Sequence, residues 1–353
     1  MTDKPYRLLG GPGSPYSLKL RAALRYRHIP HRWIVPTGYL ASEGSELALA
    51  GKRLIPVLQF PEDGSYHADT TPLIYALERR HPGQRSLLPD HPGDAFLAHL
   101  IEDFADEFLV NILFLFRWTA PEDLAFSPRR QLQGWLGTMP EAEFEAFVAR
   151  FMVRQQKQIP LAGGGPGNKP LLERLYRDLL GAIELLVTQS RYLFGSRPSL
   201  AEIGLFGQMS QLAIDWSPSL ITKSAAPRAF QWIQDLDDAS GIDGAWRDPN
   251  DALFDGTKAI LRLVLRAYRP YSLAAAEVLR AGEKATSCEI DGTHFPFFAR
   301  PYTATALRWL QEEFAALDAR SRTHVLAALD HPEAEAWLTP DPAAEPAPPH
   351  SPR

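Results

Sequence analysis

Cysteine is almost absent: the 353 residues hold one, Cys288. That excludes a disulfide framework, an intramolecular dithiol redox pair and any zinc site built on several cysteines. The lone thiol suits a reducing compartment, and a lone cysteine is most often a packing residue. Long apolar runs are missing too. The most apolar stretch, residues 108–116, falls far short of the ~20 residues that a membrane-spanning helix needs. The opening MTDKPYRLLGG has no apolar signal core. Positive charge is not in excess: 37 Lys and Arg stand against 42 Asp and Glu, for a net charge of −5. No broad basic field is offered to nucleic acid or to an anionic membrane. The expectation is a soluble cytoplasmic protein that binds neither.

Familiar catalytic signatures are also lacking. The glycine-rich AGGGPGNKP (162–170) does not end in the G-K-[ST] of a phosphate-binding loop. GGPGS (10–14) does not continue to G-x-G-x-x-G, and neither H-E-x-x-H nor G-x-S-x-G occurs. The ten histidines are scattered, without acidic or cysteine partners at ligand spacing, so no metal is expected.

What is there is punctuation and periodicity. Residues 5–10 read as a strand that runs into a glycine-proline turn. Residues 14–28 follow with a helical pattern, Leu18, Leu20 and Leu24 on the apolar side and Lys19, Arg21, Arg25 and Arg27 on the wet side. Ser14 is a natural N-cap and Pro15 suits the first helical position. Residues 31–35 form a second strand candidate, completing a strand–helix–strand unit with a parallel pair. Residues 55–60 are a third strand entered through Pro56, and Asp63-Gly64 predicts a hairpin to a fourth at 66–68. Asp69 or Thr70 caps the next helix. Prolines in 81–94 mark a linker.

The remainder reads as helical. One long helix spans 97–118. Residues 121–169 look irregular with short helices, and 162–170 is a flexible break. Helices follow at 171–189, 199–212 and 227–239. Beyond Gly241 comes an extra module: helices at 251–268 and 272–281, a hairpin around Asp291-Gly292 within 286–298, a helix at 303–317 and another reaching Leu338. Residues 340–353 hold six prolines and no large apolar side chain, the composition of a disordered tail.

Four segments together resemble the glutathione transferase superfamily: SPYSLKLR (14–21), IPVL (55–58), ADTTPLIYALE (68–78) and FGSRPSLAEIGLFGQM (194–209). The resemblance covers about residues 5–240. It implies an α/β thioredoxin-like N-terminal domain (1–82), a linker (83–94) and an all-α glutathione-transferase C-terminal domain (95–240). A mostly α extension with a β-hairpin (241–339) and the tail (340–353) would follow. It further implies a cytoplasmic homodimer with a role in detoxification, which uses glutathione as co-substrate, without metal, on a small electrophile. Ser14 would be the catalytic hydroxyl, with Tyr16 and Ser17 as alternative donors. Ile55 and a cis Pro56 would pair with the cysteinyl part of glutathione. Asp69 would take the γ-glutamyl amine and Thr70 its carboxylate. Phe108, Ile112 and Trp118, together with Phe114 and Arg117, are candidates to line a pocket for an apolar acceptor. Ser199 and Glu202 would be a folding element.

The chemistry is reasonable on its own terms. A thiol at a helix N-terminus meets unpaired N–H groups and a partial positive charge, which lower its pKa. A hydroxyl that donates to the sulfur adds a charge-assisted hydrogen bond. Two other readings stay open. A glutaredoxin-like oxidoreductase or dehydroascorbate reductase would need cysteine where Ser14 stands. A non-catalytic relative would use the same fold to bind a ligand or a partner.

Overall fold

The computed structural model describes residues 4–35, 45–52, 54–83 and 85–341. Strand β1 (Tyr6–Leu9), helix α1 (Pro15–Tyr26) and strand β2 (His31–Ile34) form the expected unit, with β1 and β2 parallel from Tyr6 beside His31 to Leu9 beside Ile34. A short helix, α2 (Glu46–Leu49), precedes β3 (Val57–Gln59), β4 (Tyr66–Ala68) and α3 (Thr70–Arg80). The sheet order is β2-β1-β3-β4, with β3 antiparallel to β1 and to β4. This is the thioredoxin-like arrangement, and the hairpin and crossover fall where the turn residues place them.

Lys19 and Arg27, expected on the wet face of α1, are instead buried. Both meet carboxylates: Lys19 meets Glu102 and Asp106, and Arg27 meets Glu78 at 3.2 Å. Periodicity shows which residues are charged, not which charges find a partner inside.

The helical part departs further from its pattern. The single helix expected at 97–118 is two: α4 (Pro92–Glu107), capped by His91, and α5 (Leu109–Thr119), with a break at Phe108. The first turn of α4 therefore consumes the last residues of the proline-rich linker. The stretch read as irregular contains two sixteen-residue helices, α6 (Pro121–Leu136) and α7 (Glu141–Gln156). Pro128 lies inside α6 and disguises it, because a proline normally stops a helix. The glycine break at 163–165 is packed rather than loose. A Cβ on Gly164 would stand 1.9 Å from the carbonyl oxygen of Pro296, and Asn168 Nδ2 donates to the carbonyls of Gly163 and Pro296 at 2.8 and 2.9 Å.

Next come α8 (Lys169–Leu186), α9 (Leu200–Leu212), α10 (Trp216–Ala225) and α11 (Pro227–Leu236). The α9 cap is as expected: Ser199 and Glu202 form a capping box, and Glu202 also accepts from the backbone N–H of Leu193 at 2.5 Å. Helix α10 is not legible in the sequence pattern.

In the extension, α12 (Asp255–Leu263) and α13 (Arg269–Arg280) run on through one π turn, Val264–Tyr268. The two helices expected here are thus one interrupted helix. Pro270 has no N–H to offer, so the ladder widens just before it. The hairpin is present as β5 (Ala285–Ile290) and β6 (Thr293–Phe298), with Asp291 and Gly292 at φ 50° and 69°. Those positive angles are what Asp-Gly accommodates in a two-residue turn. Helices α14 (Pro301–Ala316), α15 (Ala319–Leu329) and α16 (Ala334–Leu338) complete the chain. From residue 342 on, the expected tail lies outside the described residues. Both α14 and α15 pack against α4, so the extension is joined to the body of the molecule along that helix.

Candidate active site

The candidate site, termed the cradle, lies where the Gly10–Ser14 turn meets the first turn of α1. Ser14 has extended backbone, and its Oγ accepts from the N–H of Ser17 at 3.2 Å, which makes it the expected N-cap. The turn is held from the helical domain. Buried Arg117 donates to the carbonyl of Gly13 at 3.0 Å, to Asp215 at 2.5 Å and to Gln211 at 2.8 Å. Gln211 Nε2 in turn donates to the carbonyl of Pro12 at 3.1 Å. Arg117 is thus a positioning residue for the turn rather than a pocket wall. A lone arginine in the apolar LVNILFLFRW run was the signal, since a buried guanidinium needs partners.

The three candidate hydroxyls have different surroundings. Tyr16 donates its proton to the carbonyl of Asp106 at 3.0 Å. Ser17 is fully buried and accepts from the N–H of Gly11 at 3.3 Å. Ser14 is half-buried, and no protein acceptor takes its proton among the described residues. Of the three, Ser14 alone combines exposure with a hydroxyl proton not given to another protein group.

Ile55-Pro56 is cis. Ile55 packs beside Leu9, Leu47 and Val57 on one side and in the cluster of Trp118, Leu132, Trp135 and Phe151 on the other. Trp135, from α6, stands over the turn. A Cβ on Gly11 would lie 2.1 Å from Trp135 Nε1, and that buried N–H has no acceptor among the described residues. Sequence reading missed this wall because it missed α6.

Asp69 precedes α3 with φ 79° and ψ 114°, and its side chain makes no capping bond. A non-glycine residue at such an angle is uncommon and collects at binding sites. Its carboxylate is turned instead to the hydroxyl of Tyr302 in the extension, at 2.6 Å. Burial raises the pKa of Asp69, against the Tyr302 hydrogen bond and the charge of Lys19.

Thr70, at the first position of α3, is buried. Its Oγ1 accepts from Lys19 Nζ at 3.2 Å and donates weakly to Asp106 Oδ2 at 3.5 Å. Thr71 also accepts from Lys19 at 3.2 Å and donates to Glu102 at 2.6 Å. Burial works against the Lys19 ammonium, but Asp106 and Glu102 outweigh it and hold the pKa above its ordinary value. Asp106 is pushed up to about 7 by burial, with Glu102 adding to the rise and Lys19 opposing it.

Phe108, Ile112 and Trp118 are core residues, at most 1% exposed. Phe108 stacks on Phe104 and meets Tyr271 and Phe295 of the extension edge-on or tilted; Trp118 packs on Phe151. They do not line an open acceptor pocket. Cys288 is a packing residue whose thiol is pushed up to about 12 by burial.

One constellation escaped the sequence reading of the histidines. His91, Asp94 and His324 place ligand-type atoms within 4.8 Å of one another. Here Asp94 Oδ1 accepts from Arg247 and His324, both at 2.8 Å, so a guanidinium already supplies the positive charge. His324 lies 230 positions from Asp94, beyond any local spacing rule.

The family profile described as "Glutathione S-transferase, N-terminal domain" matches residues 13–80, the stretch that carries Ser14, Ile55, Pro56, Asp69 and Thr70. This match supports membership of the glutathione S-transferase superfamily. Among solved glutathione S-transferases, the Methylobacterium radiotolerans protein in complex with glutathione sulfonate is 20% identical at TM-score 0.42, covering 70% of this chain and 99% of its own. GSTFuA3 of Phanerochaete chrysosporium is 16% identical at TM-score 0.46, covering 68% and 99%. The beta-etherase LigF of a Sphingobium strain is 17% identical at TM-score 0.47, covering 66% and 95%. No curated protein sequence matches the chain. Among the described residues, no helix of this transferase-fold chain is long and apolar enough to cross a membrane.

Proposed function

We propose that the chain is a glutathione-dependent transferase of the serine type. Glutathione lies in the cradle, its γ-glutamyl amine on Asp69, its γ-glutamyl carboxylate at the N-terminus of α3 and its sulfur beside Ser14. The Ser14 hydroxyl donates to the thiolate, the thiol proton leaves to solvent, and the sulfur lone pair attacks an electrophilic carbon. A leaving group departs with its electron pair, or the adduct takes up a proton. Isomerisation or cleavage of a glutathione adduct would use the same thiolate. The observation that carries this reading is the backbone of Asp69: it is held at positive φ beside α3 without the capping bond that would explain it structurally.

The test is turnover of a panel of electrophiles, with saturable dependence on glutathione, in wild type and Ser14→Ala. Turnover that falls steeply in the variant while glutathione still binds supports the assignment. Equal turnover in both removes Ser14 from the chemistry.

One observation favours a second reading, a transferase-fold protein that binds without catalysing. Thr70 is engaged by Lys19 and Asp106 within the protein, so the carboxylate subsite offers less than an open hydroxyl. Glutathione binding without turnover of any electrophile would support that reading.

A further inference from the structure

The extension reaches the cradle at the start of α14. Arg300 donates to the carbonyl of Glu107 and pairs with its carboxylate at 3.2 Å, and Thr303 Oγ1 donates to Glu107 Oε2 at 2.6 Å. These contacts fix the first turn of α14 against the last turn of α4. From that anchored turn Tyr302 sends its hydroxyl to Asp69 Oδ2 at 2.6 Å. Asp69 Oδ1 receives no hydrogen bond from the described residues. The side chain that the glutathione reading assigns to an incoming amine thus has one oxygen held by Tyr302 and the other without a hydrogen bond from the described residues.

We propose that Tyr302 is a positioning residue of the ligand site: by holding Asp69 Oδ2 it aims Oδ1 at the ligand's ammonium, so the extension completes the amine subsite. The proposal rests on the glutathione reading. A carboxylate turns about a broad, two-fold torsion, and a charge-assisted phenol bond restricts it. The charged and titratable groups facing Asp69 are Tyr302 on α14, Lys19 on α1, and Glu102 and Glu107 on α4. Tyr302 and Lys19 favour the ionised carboxylate, whereas burial and the two glutamates oppose it. Loss of the phenol proton donor therefore moves the acid limb of amine binding to higher pH.

Calorimetric titration across the acid and neutral range tests this, with wild type and Tyr302→Phe each titrated with glutathione and with glutaryl-cysteinylglycine, which lacks the amine. In the variant, glutathione affinity is expected to fall about tenfold, the scale of one hydrogen bond to a charged group. The acid limb is expected to shift upward, and the amine-free analogue to bind both proteins equally. Equal or tighter glutathione binding by Tyr302→Phe overturns the proposal and leaves the glutathione reading standing. So does an equal loss for both ligands, which marks a general structural effect. Absence of glutathione binding by the wild type at millimolar concentration overturns the glutathione reading and this inference with it.

Discussion

His99 Nδ1 and Glu313 Oε2 meet at 2.5 Å, across 214 positions of sequence, and tie α4 to α14. The imidazole is buried, and Glu313 is partly exposed, at 31%. Burial alone would lower the pKa of His99. The Glu313 charge and hydrogen bond, followed by Glu102 and Asp103, overcome it and raise the value to about 9. A histidine whose folded pKa is raised contributes stability that is complete below its unfolded pKa of ~6.5 and is lost as pH rises through the folded value. Glu313→Gln is therefore expected to lower stability by on the order of 2 kcal/mol in mildly acidic buffer. The difference should shrink towards nothing through the weakly alkaline range. Denaturant unfolding at several pH values measures it, and a pH-independent difference would refute the assignment.

Lys19 is the cation of a buried cluster that joins α1, α3 and α4. It serves Glu102, Asp106, Thr70 and Thr71 at once. Lys19→Met keeps much of the volume but strands two buried carboxylates, and removing one partner of a buried pair typically destabilises by ~3–5 kcal/mol. The double variant Lys19→Met/Glu102→Gln should recover part of that loss. A Tm for Lys19→Met within a degree or so of wild type would show that the cluster is not held as described.

Gly11 lies where α6 crosses the cradle turn. With a Cβ 2.1 Å from Trp135 Nε1, Gly11→Ala forces either the indole or the turn to move. Overpacking of this kind typically costs about 1–3 kcal/mol. Gly11→Ala combined with Trp135→Leu should regain most of it. Chemical denaturation of the three proteins decides the matter, and a neutral Gly11→Ala would place the indole elsewhere.

Ser14 should govern the thiol's ionisation more than its binding. Ser14→Ala is expected to slow turnover near neutral pH by about tenfold to a hundredfold, the scale of a hydrogen bond to a charged group. The rate should recover as pH is raised and the sulfur ionises unaided. The pH–rate profile checks this: a parallel drop at every pH contradicts a role in holding the thiolate.

The cradle was legible because its signals are local. Ser14 caps, Asp63-Gly64 turns and Asp69 precedes a helix, and each of these signals acts on residues only a few positions away, the range of capping and turn chemistry. The capping box at Ser199 and Glu202 and the Asp291-Gly292 hairpin could be read for the same reason. What surrounds the cradle was not legible. Pro128 hid α6 and with it Trp135. Lys19 looked solvated because periodicity cannot see Glu102 and Asp106, more than eighty positions away. Phe108, Ile112 and Trp118 have the composition of a pocket lining and of a core alike, and only packing separates the two. Tyr302 is 233 positions from Asp69, and no spacing rule links them.

The most direct measurement is a calorimetric titration of glutathione into the wild-type protein and into Asp69→Asn. The account expects saturable binding with one glutathione per chain, weakened about tenfold or more when the carboxylate that meets the amine loses its charge. Absence of saturable binding at millimolar glutathione, or equal affinity in the two proteins, would contradict it.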